Sequence, residues 1–310
     1  MIVLCEPWRA HPLAWIHRAE ARAIAEELRR TGRAVTLAAY DAKSVELPSG
    51  PLLLRVSDPV MLEVARALSR ASLPYIGPSA TVMETCYDKY EAYHIASRSG
   101  VDCPTTVLAS DAKGIPCPRV LKPRRGSDSI GLRILRDAPI PIHKRTKDYI
   151  VQQFVYGTEL TVAVYRDCAG VPLRITLPEG TPYSFLHKYL LRPRCVPLTN
   201  TLLAQCVRAA ALRIAAVFAP NWAARIDLIH ESRTGRLYFL ECDVAPLVGA
   251  KSAFAASFSG AGVGRPEQLR WLLEESPAQM RRKQILPVMP HIGVLNGRRS
   301  IAEASDGVPY

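Results

Sequence analysis

Along the first part of the chain, short unbroken apolar runs alternate with stretches of helical period. Ile2 to Cys5 is an apolar strand, and a helix follows from about Pro12 to Arg30. In that helix Leu13, Ile16, Ala19, Ala23, Ile24 and Leu28 form one apolar stripe. Gly32 ends it, Ala34 to Ala39 is a second strand and Leu52 to Val56 a third. Asp58 is expected to cap a helix running to about Ala71, before a short strand at Tyr75-Ile76. This alternation predicts an open α/β domain with a largely parallel sheet. Its first turn, Glu6 to Ala10, has no G-x-G-x-x-G, so no dinucleotide is expected there.

Beyond Gly77 the pattern changes. A turn and a helix ending at Gly100 come first, then a strand at Arg119 to Leu121 that runs into Lys122-Pro123 and the loop RRGSDSIG. A strand at Leu132 to Leu135 closes that loop. Gly126, Ser127, Ser129 and Gly131, beside Lys122, Arg124 and Arg125, make it able to cover phosphates with N–H groups and hydroxyls. The P-loop spacing is absent, and polar hairpin turns often look alike. Tyr149 to Val155 and Glu159 to Tyr165 read as strands around Gly157, and Pro178 to Lys188 as an irregular segment. Thr201 to Phe218 is a strongly apolar helix, a small-residue loop follows Asp243, and Pro266 to Glu275 is a last helix. From about Ser276 the chain is basic and Pro-containing.

Between the last two of these helices lies ARIDLIHESRTGRLYFLECD, residues 224–243, two alternating strands around a turn. Arg225 and Asp227 share a face of the first strand, and Glu241 and Asp243 a face of the second. A two-residue Thr234-Gly235 loop would put Asp227 and Glu241 on opposite sides of the sheet. A three-residue loop, Arg233 to Gly235 with Gly235 left-handed, would set Asp227 against Glu241 and Arg225 against Asp243. Carboxylates that close repel unless a cation sits among them, and oxygen-only donors suit Mg²⁺ holding phosphates. The competing reading is a polar outer face with a surface salt bridge. Cys242 points to the other face and reads as a buried thiol.

The chain has 310 residues, 48% of them hydrophobic, enough for a substantial core and two or three domains. No apolar run is expected to span a membrane, and the start MIVLCEPW lacks a signal-peptide pattern. Eight cysteines are scattered without a C-x-x-C or zinc spacing, which fits a reducing cytoplasm. A net charge of +12 admits nucleic acid, but only 7% of residues are aromatic and the basic residues are mostly single arginines. An enzyme handling ATP and anionic substrates also wants a positive field. His17, His94 and His187 have no partner at catalytic spacing, and there is no G-x-S-x-G nucleophile motif.

Several segments, in order, resemble those of the ATP-grasp superfamily, and within it the D-alanine–D-alanine ligase branch. YIGPSATVMETCYDK is similar to the family's Y-x-G segment ending in Asp-Lys, which implies Lys89 as a phosphate lysine. RVLKPRRGSDSIG resembles V-K-P-x-x-x-x-S-x-G, implying Lys122 as the second phosphate lysine and Gly126 to Gly131, with Ser127 and Ser129, as the loop over the phosphates. IVQQFVYGTELTV resembles the adenine hinge, with Gln152, Gln153, Phe154 and Val155 at the base and Glu159 at the ribose. HKYL resembles the closing loop, giving Lys188 and Tyr189. Arg225 matches the transition-state arginine, and Asp227, Glu241 and Asp243 match the metal ligands. Ser252, with Lys251 beside it, matches a serine that holds the second substrate's carboxylate.

The sequence also departs from the family. Its third metal ligand is usually Asn and here is Asp243, and its Pro-Gly after the metal site is Pro246-Leu247. The first domain's substrate glutamate has no obvious equivalent in EPWRAHPLAWIHRAE. The resemblance therefore implies an ATP-grasp fold of three domains, an open parallel-sheet domain and two α+β domains that sandwich ATP. The expected bounds are 1–86, 87–158 with the ATP-binding subdomain, and 159–275 with the metal site, followed by a tail at 276–310. The implied function is a cytoplasmic, ADP-forming carboxylate–amine ligase working through an acyl phosphate, with ATP and a pair of Mg²⁺ ions (Mn²⁺ as an alternative). Its substrates would be small amino-acid- or peptide-like molecules other than the family's usual pair. Neither a membrane nor a nucleic acid is expected as partner, and a homodimer is compatible. A phosphotransferase that forms no amide, and a nucleic-acid-binding protein contacting through the tail, are the alternatives. Lys122→Ala and Glu241→Ala should each lower ADP formation about a hundred- to thousandfold while circular dichroism stays unchanged.

Overall fold

The computed structural model describes residues 1–5, 14–40, 51–112, 114–126, 130–176 and 194–273. The first domain holds β1 (Ile2–Cys5), α1 (Ala14–Arg30), β2 (Thr36–Ala39), β3 (Leu52–Leu54), α2 (Asp58–Arg70) and β4 (Tyr75–Ile76). Its strands lie in the order β2-β1-β3-β4, all parallel. The inner strands β1 and β3 are buried on both faces, which is why they read as unbroken apolar runs, while the edge strand β2 is partly exposed. Leu4, Leu52 and Leu54 point into one core, and Val3, Cys5 and Leu53 into another with Ala21, Ile24 and Leu28 of α1. The capping position of α2 is Ser57, one residue earlier than expected.

The single helix expected before Gly100 is broken in two. α3 spans Ala80–Tyr87 and α4 Lys89–Ala96. Asp88 between them is extended, with φ −85 and ψ 93, and its side chain accepts the Glu91 N–H, so it caps α4. The break puts Lys89 in the first turn of a new helix. A four-stranded antiparallel sheet follows, β5 (Thr106–Leu108), β6 (Arg119–Pro123), β7 (Arg133–Leu135) and β8 (Tyr149–Gln153), in the order β5-β8-β6-β7. It has its own small core of Ala109, Ile115, Leu121, Leu135, Ile140 and Val151. The edge strand β5 was not foreseen, because three residues carry too little periodicity.

The last sheet is the largest. It contains β9 (Gly157–Tyr165), β10 (Cys168–Ala169), β11 (Leu173–Thr176), β12 (Arg194–Pro197), β13 (Ala223–Glu231) and β14 (Leu237–Asp243). The order is β12-β11-β9-β13-β14, with β10 on β9, and β14 is an edge. α5 (Thr201–Phe218) is long and apolar enough to cross a membrane by length and composition alone, contrary to the expectation from the sequence. Here Val207, Ala210, Ala211, Ile214 and Phe218 of α5 pack against Leu228 and Phe239 of the sheet in a shared core. α6 (Ala253–Gly260) and α7 (Arg265–Leu273) cover the other side, where Phe258 and Tyr165 meet Trp271.

A buried ion pair ties the first domain to the loop after β14. Arg55, fully buried at the end of β3, donates to Glu20 of α1 at 3.0 and 2.6 Å and to the carbonyl of Pro246 at 3.0 Å. The other oxygen of Glu20 accepts the N–H groups of Val248 and Gly249. Removing one partner of a buried pair strands the other charge without water. Glu20→Ala should therefore cost on the order of 3–5 kcal/mol in urea unfolding, far more than an exposed ion pair would.

Candidate functional site

The hairpin of β13 and β14 puts its charged groups on one patch, by a different route from either expected turn. Pairing begins at His230 with Leu237, and the Glu231 N–H donates to the Arg236 carbonyl, which leaves residues 232–235 as the loop. Gly235 sits there at φ 70, its N–H returning to the Glu231 carbonyl. That register alone would send Asp227 and Glu241 to opposite faces. Leu228 pairs with Phe239 and Asp227 with Glu241, so Leu240 is unpaired and forms a one-residue bulge. The bulge restores the alignment: Asp227 faces Glu241, and Arg225 faces Asp243. Cys242 points the other way, is 2% exposed and is hydrogen-bonded to the Cys86 thiol, as the alternation predicts.

Within the patch, Arg225 forks onto Asp227 with two bonds of 3.0 Å and lies 3.4 Å from Asp243. Thr161 on β9, directly across from Asp227, donates to the same carboxylate at 2.6 Å. Burial works against the Arg225 cation, yet Asp227, Asp243 and Glu241 hold it well above the ordinary arginine range. Burial pushes Asp243 up to about 6, and the carboxylates of Glu241 and Asp227 add to this against the pull of Arg225. These are the marks of carboxylates short of positive charge. Among the described residues no three His, Cys, Asp or Glu side chains are grouped as a metal cage by themselves. Arg225 draws Asp227 to itself, so any cation here needs donors from elsewhere.

The opposite wall comes from β6, β8 and α4. Lys122 is 8% exposed, and its ammonium donates to the Tyr93 hydroxyl at 3.1 Å and to Gln152 Oε1 at 3.0 Å. Burial pulls it down to about 8, partly opposed by the carboxylates of Glu241 and Glu159. Gln152 is expected at the adenine, but its side chain is buried, donating through Nε2 to Thr106 at 2.8 Å while it holds Lys122. Gln153 is exposed, accepting the Thr105 N–H, Phe154 packs edge-on against Tyr156, and Val155 is buried. Glu159 is half-buried on β9. Lys89 donates to the Gly126 carbonyl at the start of the glycine loop. The same loop is anchored by Arg124 and Arg125 on Asp88, at 2.7 and 2.9 Å, and by the Lys89 N–H on the Arg124 carbonyl. Ser127, Ser129, Lys188 and Tyr189, and the tail at 276–310, lie outside the described residues.

On the far side of the patch, Ser252 caps α6 by accepting the Ala255 N–H, and Lys251 beside it is exposed. The segment EPWRAHPLAWIHRAE supplies a glutamate to the loop after the hairpin, Glu20, the last residue of that segment. Its oxygens are already engaged by Arg55 and two N–H groups. Sequence reasoning also missed Tyr93 and Thr161. The signals were present: Tyr93 lies one helical turn after Lys89, and Thr161 follows Glu159 at strand spacing.

Residues 86–174 match the ATP-grasp domain model. A D-alanine–D-alanine ligase of Nitrosospira multiformis is 26% identical over 220 residues, covering 66% of this chain and 71% of that enzyme. Among solved structures, the VanG D-Ala:D-Ser ligase of Enterococcus faecalis superposes with a TM-score of 0.74 at 15% identity, over 88% of this chain and 97% of that one. The D-alanine–D-alanine ligase of Bacillus anthracis complexed with ATP gives 0.69 at 15%, over 88% and 96%. The chain thus has the ATP-grasp fold. Within that class it resembles the D-alanine–D-alanine ligases.

The expectation that Lys122 holds a phosphate carries a pH dependence with it. Its ammonium form attracts phosphate, so kcat/KM for ATP should fall as pH rises through about 8, and Lys122→Arg should move that alkaline limb upward. Stability runs the other way. The folded value of about 8 lies below the ordinary 10.5, so the unfolded chain binds more protons between them and this group favours folding increasingly as pH rises across that window. A pH–rate profile for ATP with both proteins checks the first statement.

Proposed function

We infer that this chain is an ATP-dependent, ADP-forming ligase that joins a small carboxylate substrate to an amine through an acyl phosphate. The observation that carries the reading is the meeting of two walls. A buried lysine, Lys122, senses Glu241 and Glu159, and Glu241 belongs to the carboxylate patch around Arg225. Phosphoryl transfer needs little beyond positioning and neutralised charge, and this cleft has cations on one side and oxygen donors on the other. Lys89 and Lys122 hold phosphate oxygens as point charges, and the loop beginning at Gly126 lies beside them. Arg225, released in part from Asp227, balances the charge of the transferring group.

The donor set fits Mg²⁺ or Mn²⁺. Asp227, Glu241 and Asp243 offer only oxygens, and the raised Asp243 is relieved by a cation. Asp227, Glu241 and Asp243 would hold the metal ions, which would supply positive charge to the phosphate oxygens. Glu159 toward the ribose, and Phe154 and Val155 toward the base, remain the residues for the nucleoside. Ser252 and Lys251 are the residues for the carboxylate of the second substrate, with Lys188 and Tyr189 closing over it.

The relatives are named for D-alanine and D-serine as substrates. Two features support a different first substrate here: Leu247 after Pro246, and the engagement of Glu20 by Arg55 and the loop, which leaves it no lone pair facing an amine. None of the eight cysteines, all among the described residues, is in a disulfide, in keeping with a reducing cytoplasm. Phosphate release should therefore be low with D-alanine alone and rise with another amino acid or dipeptide, and hydroxylamine should trap the acyl phosphate. Full turnover on D-alanine would overturn the substrate statement. A phosphorylated product without an amide would favour a phosphotransferase instead.

A further inference from the structure

We propose that Tyr93 is a positioning residue that locks the phosphate lysine to the carboxylate strand. The proposal rests on the nucleotide reading of the cleft given above. Tyr93 is 5% exposed in the middle of α4, and its hydroxyl lies between the two walls. It accepts from Lys122 Nζ at 3.1 Å and donates to the carbonyl of Leu240 at 2.7 Å. Leu240 is the bulge residue whose insertion swings Glu241 opposite Asp227. On the edge strand β14 that carbonyl has no ladder partner, and a buried carbonyl without one is costly. The bulge is pinned on the adjacent residue as well, where the Phe239 N–H donates to the Asp102 carbonyl.

The ring itself is fixed. It packs edge-on against Phe239 at 5.4 Å, and Lys122 Nζ sits 5.1 Å from its centroid. One hydroxyl therefore joins the two walls, directing the ammonium together with Gln152 and holding the extra residue of β14 together with Asp102. Losing it has two separable effects. Lys122 loses an acceptor, which weakens nucleotide binding. The Leu240 carbonyl loses its donor, which lets the register around Glu241 slacken and slows turnover.

Tyr93→Phe keeps the ring and removes only the hydroxyl. Titration with ADP in the presence of Mg²⁺ should show affinity about 10- to 100-fold weaker than wild type, the loss of one hydrogen bond to a charged group. The alkaline limb of that affinity should move to lower pH. At saturating ATP, ADP release should fall about 10- to 100-fold, while circular dichroism and melting report a folded protein at the assay temperature. In a Lys122→Met background the affinity effect of Tyr93→Phe should largely vanish and the turnover effect persist. A residue that only fills the core would lower the melting temperature and leave affinity and its pH limb in place. Wild-type affinity and turnover in Tyr93→Phe, or the same affinity loss in both backgrounds, would overturn the proposal while the ligase reading stands. Failure of the wild type itself to bind ADP would sink both.

Discussion

A one-residue slip moves every side chain of a strand to the opposite face, so the unpaired Leu240 governs the chemistry of the hairpin. The loop at 232–235 and the bulge each shift the register by one, and together they cancel. Arg225, Asp227, Glu241 and Asp243 consequently share one side of the sheet, and Ile226, Leu228, Phe239 and Cys242 share the core on the other. The core side supplies the energy that holds this register, because any alternative would turn the Phe239 ring out of the core and put the carboxylates among apolar side chains.

The charges on the side away from that core are held in a state of partial neutralisation. Three carboxylates face one guanidinium, and the buried lysine opposite leans on neutral partners, Tyr93 and Gln152, instead of a carboxylate in direct contact. Each wall is short of countercharge by itself. In the reading proposed above, a polyanion carrying cations would complete both, and the net charge of +12 would favour its approach. The anchoring of Arg124 and Arg125 on Asp88 keeps the phosphate-side loop attached to the helix that carries Lys89 and Tyr93.

The first domain is coupled to this cleft through the Glu20–Arg55 pair and the loop at Pro246 to Gly249. A charged strut with no exposed surface tolerates little adjustment, since moving either partner strands the other. It holds that loop rigidly against α1 and β3.

The sequence alone determined the order of the elements and the kind of chemistry. Apolar runs in the first domain specified a parallel sheet, and the spacing of Arg225, Asp227, Glu241 and Asp243 specified two charged strand faces. Local pattern suffices for these, because periodicity is a property of each segment. It did not show whether the two faces coincide, since a turn of unknown length and a bulge leave the same alternation in the sequence. Nor did it show that Asp88 breaks a helix, that Gln152 turns inward to hold Lys122, or that Glu20 meets a loop more than two hundred residues away. Each of these is a contact between distant segments, chosen by what is left to hydrogen-bond once the cores have packed. Tertiary structure decided that the lysine, the tyrosine and the bulge meet, because only the packing of α4 against β14 brings Tyr93 under Leu240.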